Sequence, residues 1–312
     1  MISGAAHQSV LLPEAVDALH MQPGGFYVDG TFGRGGHASL MLDRLGKSGQ
    51  LMVMDRDPDA IAAAIEMMGN DERVTIVHAP FSSLGEKLKA LGYMGKVDGI
   101  LFDFGVSSPQ LDTAERGFSF QRDGALDMRM DTSRGQTAAQ WLAEVKFSDL
   151  VRVLRVYGEE RFAKRIANAV LETREESPIE TTAQLSRLIS DAIPVHEREK
   201  HPATRSFQAI RIAINEELQE ITTVLPDALD ALAIGGRLVV ISFHSLEDRP
   251  VKRLLQKEAK GDDFPPDLPI RADQIKPRIK LIGKPVRARS AELKVNRRAR
   301  SAIMRVAEKV RA

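Results

Sequence analysis

The 312-residue sequence contains no cysteine. This absence excludes disulfide bonds, thiolate metal ligands and cysteine nucleophiles. No apolar stretch approaches the roughly 18 residues that a membrane-spanning helix requires, and the first residues lack the basic segment and apolar core of a signal peptide. The sequence also has no HExxH, GxSxG or Walker motif, so it does not support a metalloprotease, serine hydrolase or P-loop enzyme. We therefore expect a cytoplasmic protein with no metal site and no membrane association.

The composition is that of a globular protein, with 43% hydrophobic and 28% charged residues. The length favours one large domain or two smaller ones. The net charge of +1 hides an asymmetry, because residues 271–312 contain 14 Lys or Arg but only three Asp or Glu, while the rest of the chain is acidic. A basic tail on an acidic body predicts contact with a polyanion, although a solvated basic surface explains the tail equally well.

Short apolar segments alternate with helical patterns over the first hundred residues. Each apolar segment ends in a polar residue, as expected at the carboxyl edge of a sheet. The alternation predicts a parallel, doubly wound α/β sheet. The predicted strands are 26–29, 51–55, 74–78 and 97–103, and the predicted helices between them are 37–45, 58–68 and 81–91.

The pattern changes after the fourth strand. No convincing strand occurs between residues 112 and 205, where the sequence predicts only helices and polar turns. Alternation resumes with one long amphipathic helix over 207–232 and a strand over 237–243. We therefore predict a Rossmann-like domain formed by residues 1–111 and 206–312, interrupted by a helical domain over 112–205.

Residues 26–37, FYVDGTFGRGGH, join the first strand to the first helix of this domain. The strand ends in Asp29, and Gly33, Gly35 and Gly36 follow in the loop. Glycine accepts a positive φ and lets a nucleotide approach the main chain closely. Asp55, at the end of the next strand, can bind both hydroxyls of a ribose. The sequence therefore predicts a nucleoside-type cofactor.

The type of cofactor depends on Asp29. Gly33, Gly35 and Ala38 match the G-x-G-x-x-A fingerprint of dinucleotide-binding proteins. However, a carboxylate at the tip of the first strand would repel a pyrophosphate bound at the helix N-terminus. It would favour a cationic ligand such as S-adenosylmethionine. A nicotinamide-dependent dehydrogenase, a ligand-free glycine turn and a non-catalytic RNA-binding factor remain the alternatives.

Three further residues follow predicted strands, at the edge where open α/β sheets bind ligands. Phe81 either covers an aromatic base or belongs to the core. Asp103 is the strongest candidate for an active-site acid, with helix capping as its alternative role. His244 is interpreted as a base, a nucleobase contact or a structural residue.

Long and unusual motifs occur along nearly the whole chain. Through them the sequence closely resembles the RsmH (MraW) family of bacterial 16S rRNA N4-cytidine methyltransferases. It departs from the family at Phe104, where Leu is usual, and at KVNRRARSA, where NPRARSA is usual. The matching motifs are HQSVLLPEAV (7–16), FYVDGTFGRGGHA (26–38), DRDPDAI (55–61), FDFGVSSPQLDTAERGFSFQRDGALDMRMD (102–131), HPATRSFQAIRIAINEEL (201–218), GGRLVVISFHSLEDRPVK (235–252) and RRARSA (297–302).

The resemblance implies a Rossmann-like class I methyltransferase sheet with an inserted all-helical domain. It also implies S-adenosylmethionine as cofactor and, as substrate, a cytidine in the decoding region of 16S rRNA on the small ribosomal subunit. Asp29 and Gly33 join the cofactor site through the loop argument above. The residues that the family places at the cofactor are Gly35, Gly36, His37, Asp55, Phe81, Asp103 and Gln110.

We predict that Asp103 is the catalytic residue. The exocyclic N4 of cytosine is a poor nucleophile, and an acceptor at the strand end, either Asp103 or neighbouring backbone carbonyls, would bind its protons. The base would have to leave its stack to reach the pocket. The sequence lacks the Asp/Asn-Pro-Pro-Tyr element of many amino-methyltransferases, and it leaves open whether the chain forms a homodimer. The predicted RNA contacts are Arg116, Arg205, His244, Arg297, Arg298 and Arg300.

Overall fold

A computed structural model describes residues 9–195, 201–261 and 276–312 of the chain, with the side chain of Arg297 left out. The chain forms two compact units. The first ends at Gly105 and resumes at Leu218, and the second is Val106–Glu217. The domain boundaries predicted from sequence lie at 111/112 and 205/206, which are six and twelve residues inside the second unit.

The first unit is built on a seven-stranded sheet with the strand order β3-β2-β1-β4-β5-β7-β6. Strands β1 to β5 are parallel, and β7 runs antiparallel to both β5 and β6. This mixed sheet confirms the predicted Rossmann-like α/β class. The strands are β1 (Phe26–Asp29), β2 (Gln50–Asp55), β3 (Val74–His78), β4 (Val97–Asp103), β5 (Leu232–Ser242), β6 (Ile279–Leu281) and β7 (Ile303–Lys309).

Thirteen α-helices are assigned within the described residues. They are α1 (Leu12–Ala18), α2 (Gly36–Arg44), α3 (Pro58–Met68), α4 (Leu84–Ala90), α5 (Ser108–Asp112), α6 (Ala138–Glu144), α7 (Phe147–Gly158), α8 (Ala163–Glu176), α9 (Thr182–Ala192), α10 (Thr204–Ile214), α11 (Glu217–Ala231), α12 (Ser245–Lys260) and α13 (Ser290–Val295). None of the described helices is long and apolar enough to cross a membrane.

The central strands are buried on both faces, which explains why their sequences are continuous apolar runs rather than alternating ones. Successive side chains point to opposite faces. Tyr27 lies in a core cluster with residues of α1, α2 and α3, whereas Val28 lies in a second cluster with residues of α4, α11 and α12. The helices thus cover both faces and leave the carboxyl ends of the strands as the edge that carries the site.

The second unit is helical and has its own core, formed by residues of α6 to α10. Three of its helices begin at capping boxes, in which Ser107 pairs with Gln110, Thr137 with Gln140 and Thr181 with Gln184. These pairs satisfy backbone groups that the first turn of a helix leaves unpaired. Ala125 and Thr181 form an isolated antiparallel bridge, and no strand is assigned between Val106 and Glu217 in the part of the unit that the structure describes.

The prediction of one long helix over 207–232 was wrong. The segment is divided between α10 and α11, with Asn215 and a left-handed Glu216 (φ 51°) between them. Asn215 is buried, its amide nitrogen donates to the carbonyl oxygens of Met128 and Arg211, and its Oδ1 accepts from the N–H of Met130. These hydrogen bonds hold the break, which helical periodicity alone does not reveal.

Strand β5 also begins earlier than predicted. It follows α11 directly at Leu232, whereas the sequence indicated a start at residue 237 after two glycines. The extra residues pair irregularly, because the register with β4 shifts between Val97 and Gly99. The predicted basic tail is described from Lys276 onward, so residues 271–275 of the tail lie outside the described part of the chain.

Candidate active site

Three aspartates end three neighbouring strands of the sheet. Asp29 ends β1, Asp55 ends β2 and Asp103 ends β4, and β1 lies between the other two strands. The parallel register brings all three carboxyl groups to the same edge of the sheet. The structure therefore places the predicted acids side by side, although they are up to 74 residues apart in the sequence.

The loop after β1 is tied to both neighbouring strands. The N–H of Asp103 donates to Oγ1 of Thr31 at 2.7 Å. On the other side, the N–H of Gly33 donates to Oδ2 of Asp55 at 2.8 Å. These two hydrogen bonds tie the loop to both strands, and Thr31 is a contributor that the sequence analysis missed.

Two glycines of this loop are required by its geometry. Gly35 has a φ of 75°, and a Cβ added there would lie 2.6 Å from the ring of Phe32. A Cβ added to Gly36 would collide with the hydroxyl of Ser9. Any larger side chain would therefore distort the loop, which agrees with the predicted need for a close approach to the main chain.

Asp29 is a buried carboxyl, with 1% of its surface exposed. Its Oδ1 accepts a hydrogen bond from the N–H of Thr31 at 3.1 Å. Among the described residues, none donates to its Oδ2. Burial raises the pKa of Asp29 to about 7, and the charge of Asp55 acts in the same direction.

Asp103 is half-buried in the same cluster, with 22% of its side-chain surface exposed. Burial raises its pKa well above the usual range, and Asp29 and Glu247 raise it further. In the described part of the chain, its Oδ1 is buried and accepts no hydrogen bond. A carboxyl in this environment takes up a proton readily, which suits a proton acceptor in a reaction.

His37 is the neighbour of Asp103 on α2. Its Nδ1 lies 3.8 Å from Oδ2 of Asp103, and burial lowers its pKa to about 4. The contact is therefore not an ion pair at neutral pH, because the imidazole is uncharged. Its Nε2 lies 3.1 Å from the carbonyl oxygen of Val10, so the neutral ring carries its proton on Nε2 and presents a bare Nδ1 to Asp103.

Asp55 accepts hydrogen bonds from the loop after β1 and from the loop after its own strand. Its Oδ2 accepts from Gly33, and its Oδ1 accepts from the N–H of Asp57 at 2.8 Å. Burial raises its pKa to about 6 despite these hydrogen bonds. Each carboxylate oxygen keeps a second lone pair, so the predicted contact with ribose hydroxyls is compatible with this arrangement.

These acids fit a cationic cofactor. Asp29 and Asp103 each have a buried carboxylate oxygen that lacks a hydrogen bond within the described residues. The charge of Asp55 raises the pKa of Asp29, and the charge of Asp29 raises the pKa of Asp103. A positive charge placed among them would offset this repulsion. A pyrophosphate would add negative charge to it, so the chemistry of the site favours S-adenosylmethionine over a dinucleotide.

Phe81 lies in the short 3₁₀ helix Phe81–Ser83 after β3. Its half-buried ring is 5.8 Å from the ring of Phe102 and 5.4 Å from that of Phe104, measured between centroids. Part of the ring is thus packed against the core while the remainder is exposed. Both sequence interpretations of Phe81 agree with this position. Phe104, the departure from the family pattern, belongs to the same aromatic cluster.

His244 caps the N-terminus of α12. Its Nδ1 accepts from the N–H of Glu247 at 3.3 Å, while Oε2 of Glu247 accepts from the N–H of Phe243 at 2.7 Å. The structural interpretation of His244 is thereby supported. Glu247 is fully buried and acts on the pKa of Asp103. The sequence analysis missed it, although a capping residue followed by Glu at the third position is a recognisable signal.

Three predicted site residues belong to the second unit. Gln110 is buried, and its Oε1 accepts from the N–H of Ser107 at 2.9 Å. Arg116 donates to the carbonyl oxygen of Met130 at 2.9 Å and also to that of Arg129. Arg205 lies in the first turn of α10 and is half-buried. Their predicted contacts with cofactor or RNA stay predictions.

The basic tail presents an exposed row of cations. Its 3₁₀ helix Arg297–Ser301 turns Ala299 into the core, which leaves Arg298 half-buried and Arg300 exposed. The predicted contact of the Arg297 side chain lies outside what the structure describes. Other exposed cations of the tail, which the sequence analysis counted but did not single out, are Lys284, Arg287, Arg289 and Lys294.

Comparison with known proteins gives one consistent result. Residues 4–310 match the MraW methylase family. Ribosomal RNA small subunit methyltransferase H of Azoarcus sp. is 57% identical over 304 residues, which cover 97% of this chain and 96% of that protein. The protein of the same name from Alteromonas mediterranea is 53% identical over 309 residues, 97% of each chain.

A solved rRNA methylase from Streptococcus thermophilus aligns with 100% of this chain and 99% of its own, at 10% identity and a TM-score of 0.42. The assignment therefore rests on the sequence relatives, which are far more similar. Their identities hold over nearly the whole length of both chains, and the family match includes the glycine loop, the three strand-end aspartates and the basic tail. This chain belongs to the MraW methylase family.

Proposed function

We propose that this protein transfers a methyl group from S-adenosylmethionine to the exocyclic N4 of a cytidine in the decoding region of 16S rRNA. The observation that carries the proposal is the trio of strand-end aspartates, one buried and two half-buried, beside a glycine loop tied to the neighbouring strands, in a chain of the methylase family. The names of the relatives support ribosomal RNA of the small subunit as the substrate. The cytidine and its N4 come from the resemblance of the sequence motifs.

The cofactor, when bound, supplies a methyl group on a sulfonium cation. The chain contributes the charge that holds this cation, through Asp29 and Asp103. Asp55 would bind the ribose, and the exposed part of Phe81 would cover the adenine. The cofactor site would be completed by Gly33, which the loop argument assigns, and by the residues that the resemblance implies, namely Gly35, Gly36, His37 and Gln110.

Asp103 would act on the acceptor base. The N4 lone pair of cytosine is delocalised into the ring, so transfer requires alignment and removal of a proton. The carboxylate of Asp103 would accept one N4 proton as the N4–methyl bond forms. Without a positive charge nearby, the pKa of Asp103 is raised. The positive charge of the cofactor is lost when the methyl group leaves, so the carboxylate then takes up the proton readily.

The remaining predicted residues would hold the RNA. The exposed cations of the tail match the negative charge of phosphates, and Arg298 and Arg300 lie in this tail. The further residues proposed to contact the RNA are Arg116, Arg205, His244 and Arg297. We assign residues 1–111 and 206–312 to methyl transfer and residues 112–205 to substrate recognition, and we place the activity in the cytoplasm, where the small subunit is assembled.

The proposal is tested by mass spectrometry of 16S rRNA from cells with and without the gene. We expect the decoding-region fragment that contains one particular cytidine to be lighter by one methylation in the deletion strain and to regain this mass on complementation. An identical fragment pattern in both strains overturns the proposed substrate. Nucleoside analysis then separates methylation of N4 from methylation of a ring carbon or a ribose.

A further inference from the structure

A short segment before α1 lies between the glycine loop and the basic tail. This segment, Ser9–Leu11, is called the strap here. A Cβ on Gly36 would collide with the hydroxyl of Ser9, so the strap is in close contact with the loop. Val10 and Leu11 are both buried. The strap thus packs against the wall of the predicted cofactor site.

One peptide group of the strap is held from both sides. The carbonyl oxygen of Val10 lies 3.1 Å from Nε2 of His37. The N–H of the same peptide, which belongs to Leu11, donates to Oε1 of Glu292 at 2.8 Å across 281 residues of sequence. A single rigid plane therefore connects α2 of the cofactor site with α13 of the basic tail.

The connection has an electrostatic consequence. A carboxylate that accepts from one end of a peptide polarises it, so that the carbonyl at the other end becomes a better acceptor. The carbonyl of Val10 fixes the proton of His37 on Nε2, and Nδ1 then faces Asp103 at 3.8 Å. Leu11 adopts a left-handed conformation (φ 51°), which an L-residue holds only when its surroundings enforce it.

We propose that Glu292 is a positioning residue for the cofactor site. It holds the Val10–Leu11 peptide, and through this peptide it fixes the tautomer and orientation of His37. The tail that would contact RNA is thereby linked to the loop that would hold the methyl donor. This inference rests on the proposed function, because it treats His37 as part of the cofactor site.

The test is a calorimetric titration of the full-length protein with S-adenosylhomocysteine, the demethylated product, which binds without reacting. Glu292→Ala removes the acceptor of the Leu11 N–H and is expected to weaken binding roughly tenfold, the effect of one lost hydrogen bond to a charged group. Glu292→Gln keeps an oxygen acceptor and is expected to stay within about threefold of the wild type. Val295→Ala, an exposed change on the same helix, is the matched control and should bind as the wild type does.

A double-mutant cycle with His37→Ala tests the route. If Glu292 acts through His37, Glu292→Ala has no further effect on binding once His37 is removed. The inference is overturned if Glu292→Ala lowers the affinity for S-adenosylhomocysteine equally in the presence and in the absence of the His37 side chain. It is also overturned if Glu292→Ala alone binds with wild-type affinity. If the alanine variant does not fold, Glu292→Asp replaces it, because it keeps the charge but withdraws the carboxylate by one methylene.

Failure of the proposed function has a different signature. A wild-type protein that binds S-adenosylhomocysteine but does not methylate rRNA contradicts the proposed substrate and leaves the role of Glu292 standing. A wild-type protein that does not bind S-adenosylhomocysteine contradicts both.

Discussion

Asp103 differs from an ordinary surface aspartate in burial, in its charged neighbours and in its unsatisfied oxygen. Each of these features raises the affinity of the carboxyl for a proton. They cost folding free energy, because a buried polar atom without a partner and a crowd of like charges are both unfavourable. Such a cost is typical of a site selected for chemistry rather than for stability.

We predict that Asp103→Asn lowers the rate of methyl transfer by roughly 10²-fold to 10⁴-fold, the range expected when a general base is removed. The variant should melt no lower than the wild type, since the substitution removes a carboxyl with a raised pKa from among Asp29 and Glu247. Transfer of labelled methyl groups to small ribosomal subunits measures the rate. Asp43→Asn, an exposed change on α2, is the control, and turnover of the Asp103 variant near that of the control would contradict the catalytic role.

A second prediction concerns the pH dependence of stability. The pKa of Asp29 rises from 3.8 to about 7 on folding, so between these values the folded state holds a proton that the unfolded state has released. The contribution of Asp29 to the free energy of unfolding is therefore fully present below about pH 4 and is lost as the pH rises toward 7. Asp55, whose pKa rises to about 6, acts in the same direction, and His37, whose pKa falls to about 4, acts against them.

The difference between wild type and Asp29→Asn isolates the Asp29 contribution. The melting temperature of the ligand-free wild type should fall, relative to that of the variant, as the pH is raised from 4 to 7. The corresponding difference in the free energy of unfolding should change by up to about 1.4 kcal/mol per pH unit, which is the limit for one proton. A constant difference over this range would show that Asp29 is not buried with a raised pKa.

At the scale of elements, hydrophobic periodicity and capping residues predicted the bounds of strands and helices well where these bounds depend on local sequence. β1, β3 and β4 have the predicted bounds, and so does α3. Asp57 shows why, because its side chain caps the first turn of α3. Local sequence does not determine the break at Asn215, whose partners Met128 and Met130 lie more than 80 residues away.

The same limit applies to the candidate site. Strand-end aspartates and a glycine loop are visible in sequence, because topology brings strand ends together. Glu292 is not visible, since it acts through a backbone contact that depends on the packed structure. The capping position of Glu247 is visible, but its effect on Asp103 depends on packing. His244 shows the converse case, a residue with a suggestive position whose ring forms a helix cap.

The break between α10 and α11 gives a prediction for stability. Asn215→Ala removes the three hydrogen bonds of a buried amide and should lower the free energy of unfolding of the second unit by about 2–4 kcal/mol. Trp141, the one tryptophan of the chain, packs against the core of this unit. Its fluorescence in urea therefore reports the unfolding directly.

Asn70→Ala, at an exposed position in the first unit, should leave the Trp141 transition unchanged. A transition of Asn215→Ala that coincides with that of this control would mean that the hydrogen bonds of Asn215 do not hold the break.

At the scale of the molecule, the basic tail distinguishes contact with RNA from an ordinary charged surface. Changing Arg287, Arg289 and Arg300 to alanine should weaken binding to small-subunit rRNA and reduce the salt dependence of binding by roughly two to three ions, if each contacts one phosphate. The affinity for S-adenosylhomocysteine should not change, because these side chains are exposed.

Three exposed lysines elsewhere in the first unit, Lys47, Lys89 and Lys96, provide the control for the tail variant. Their change to alanine alters the net charge of the molecule by the same amount but leaves the tail intact. Equal losses of RNA affinity in the two triple variants would show that the tail contributes only its charge to the molecule as a whole.

The central claim is that the acidic edge of the sheet carries out methylation of one cytidine of 16S rRNA. A single measurement tests this claim most directly. Small subunits from a strain that lacks the gene are incubated with the purified protein and S-adenosylmethionine, and the digested 16S rRNA is examined by mass spectrometry. We predict N4-methylcytidine at one position of the decoding region, formed by the wild-type protein and not by Asp103→Asn. Methylation of another atom or another region, or none at all, would contradict the account.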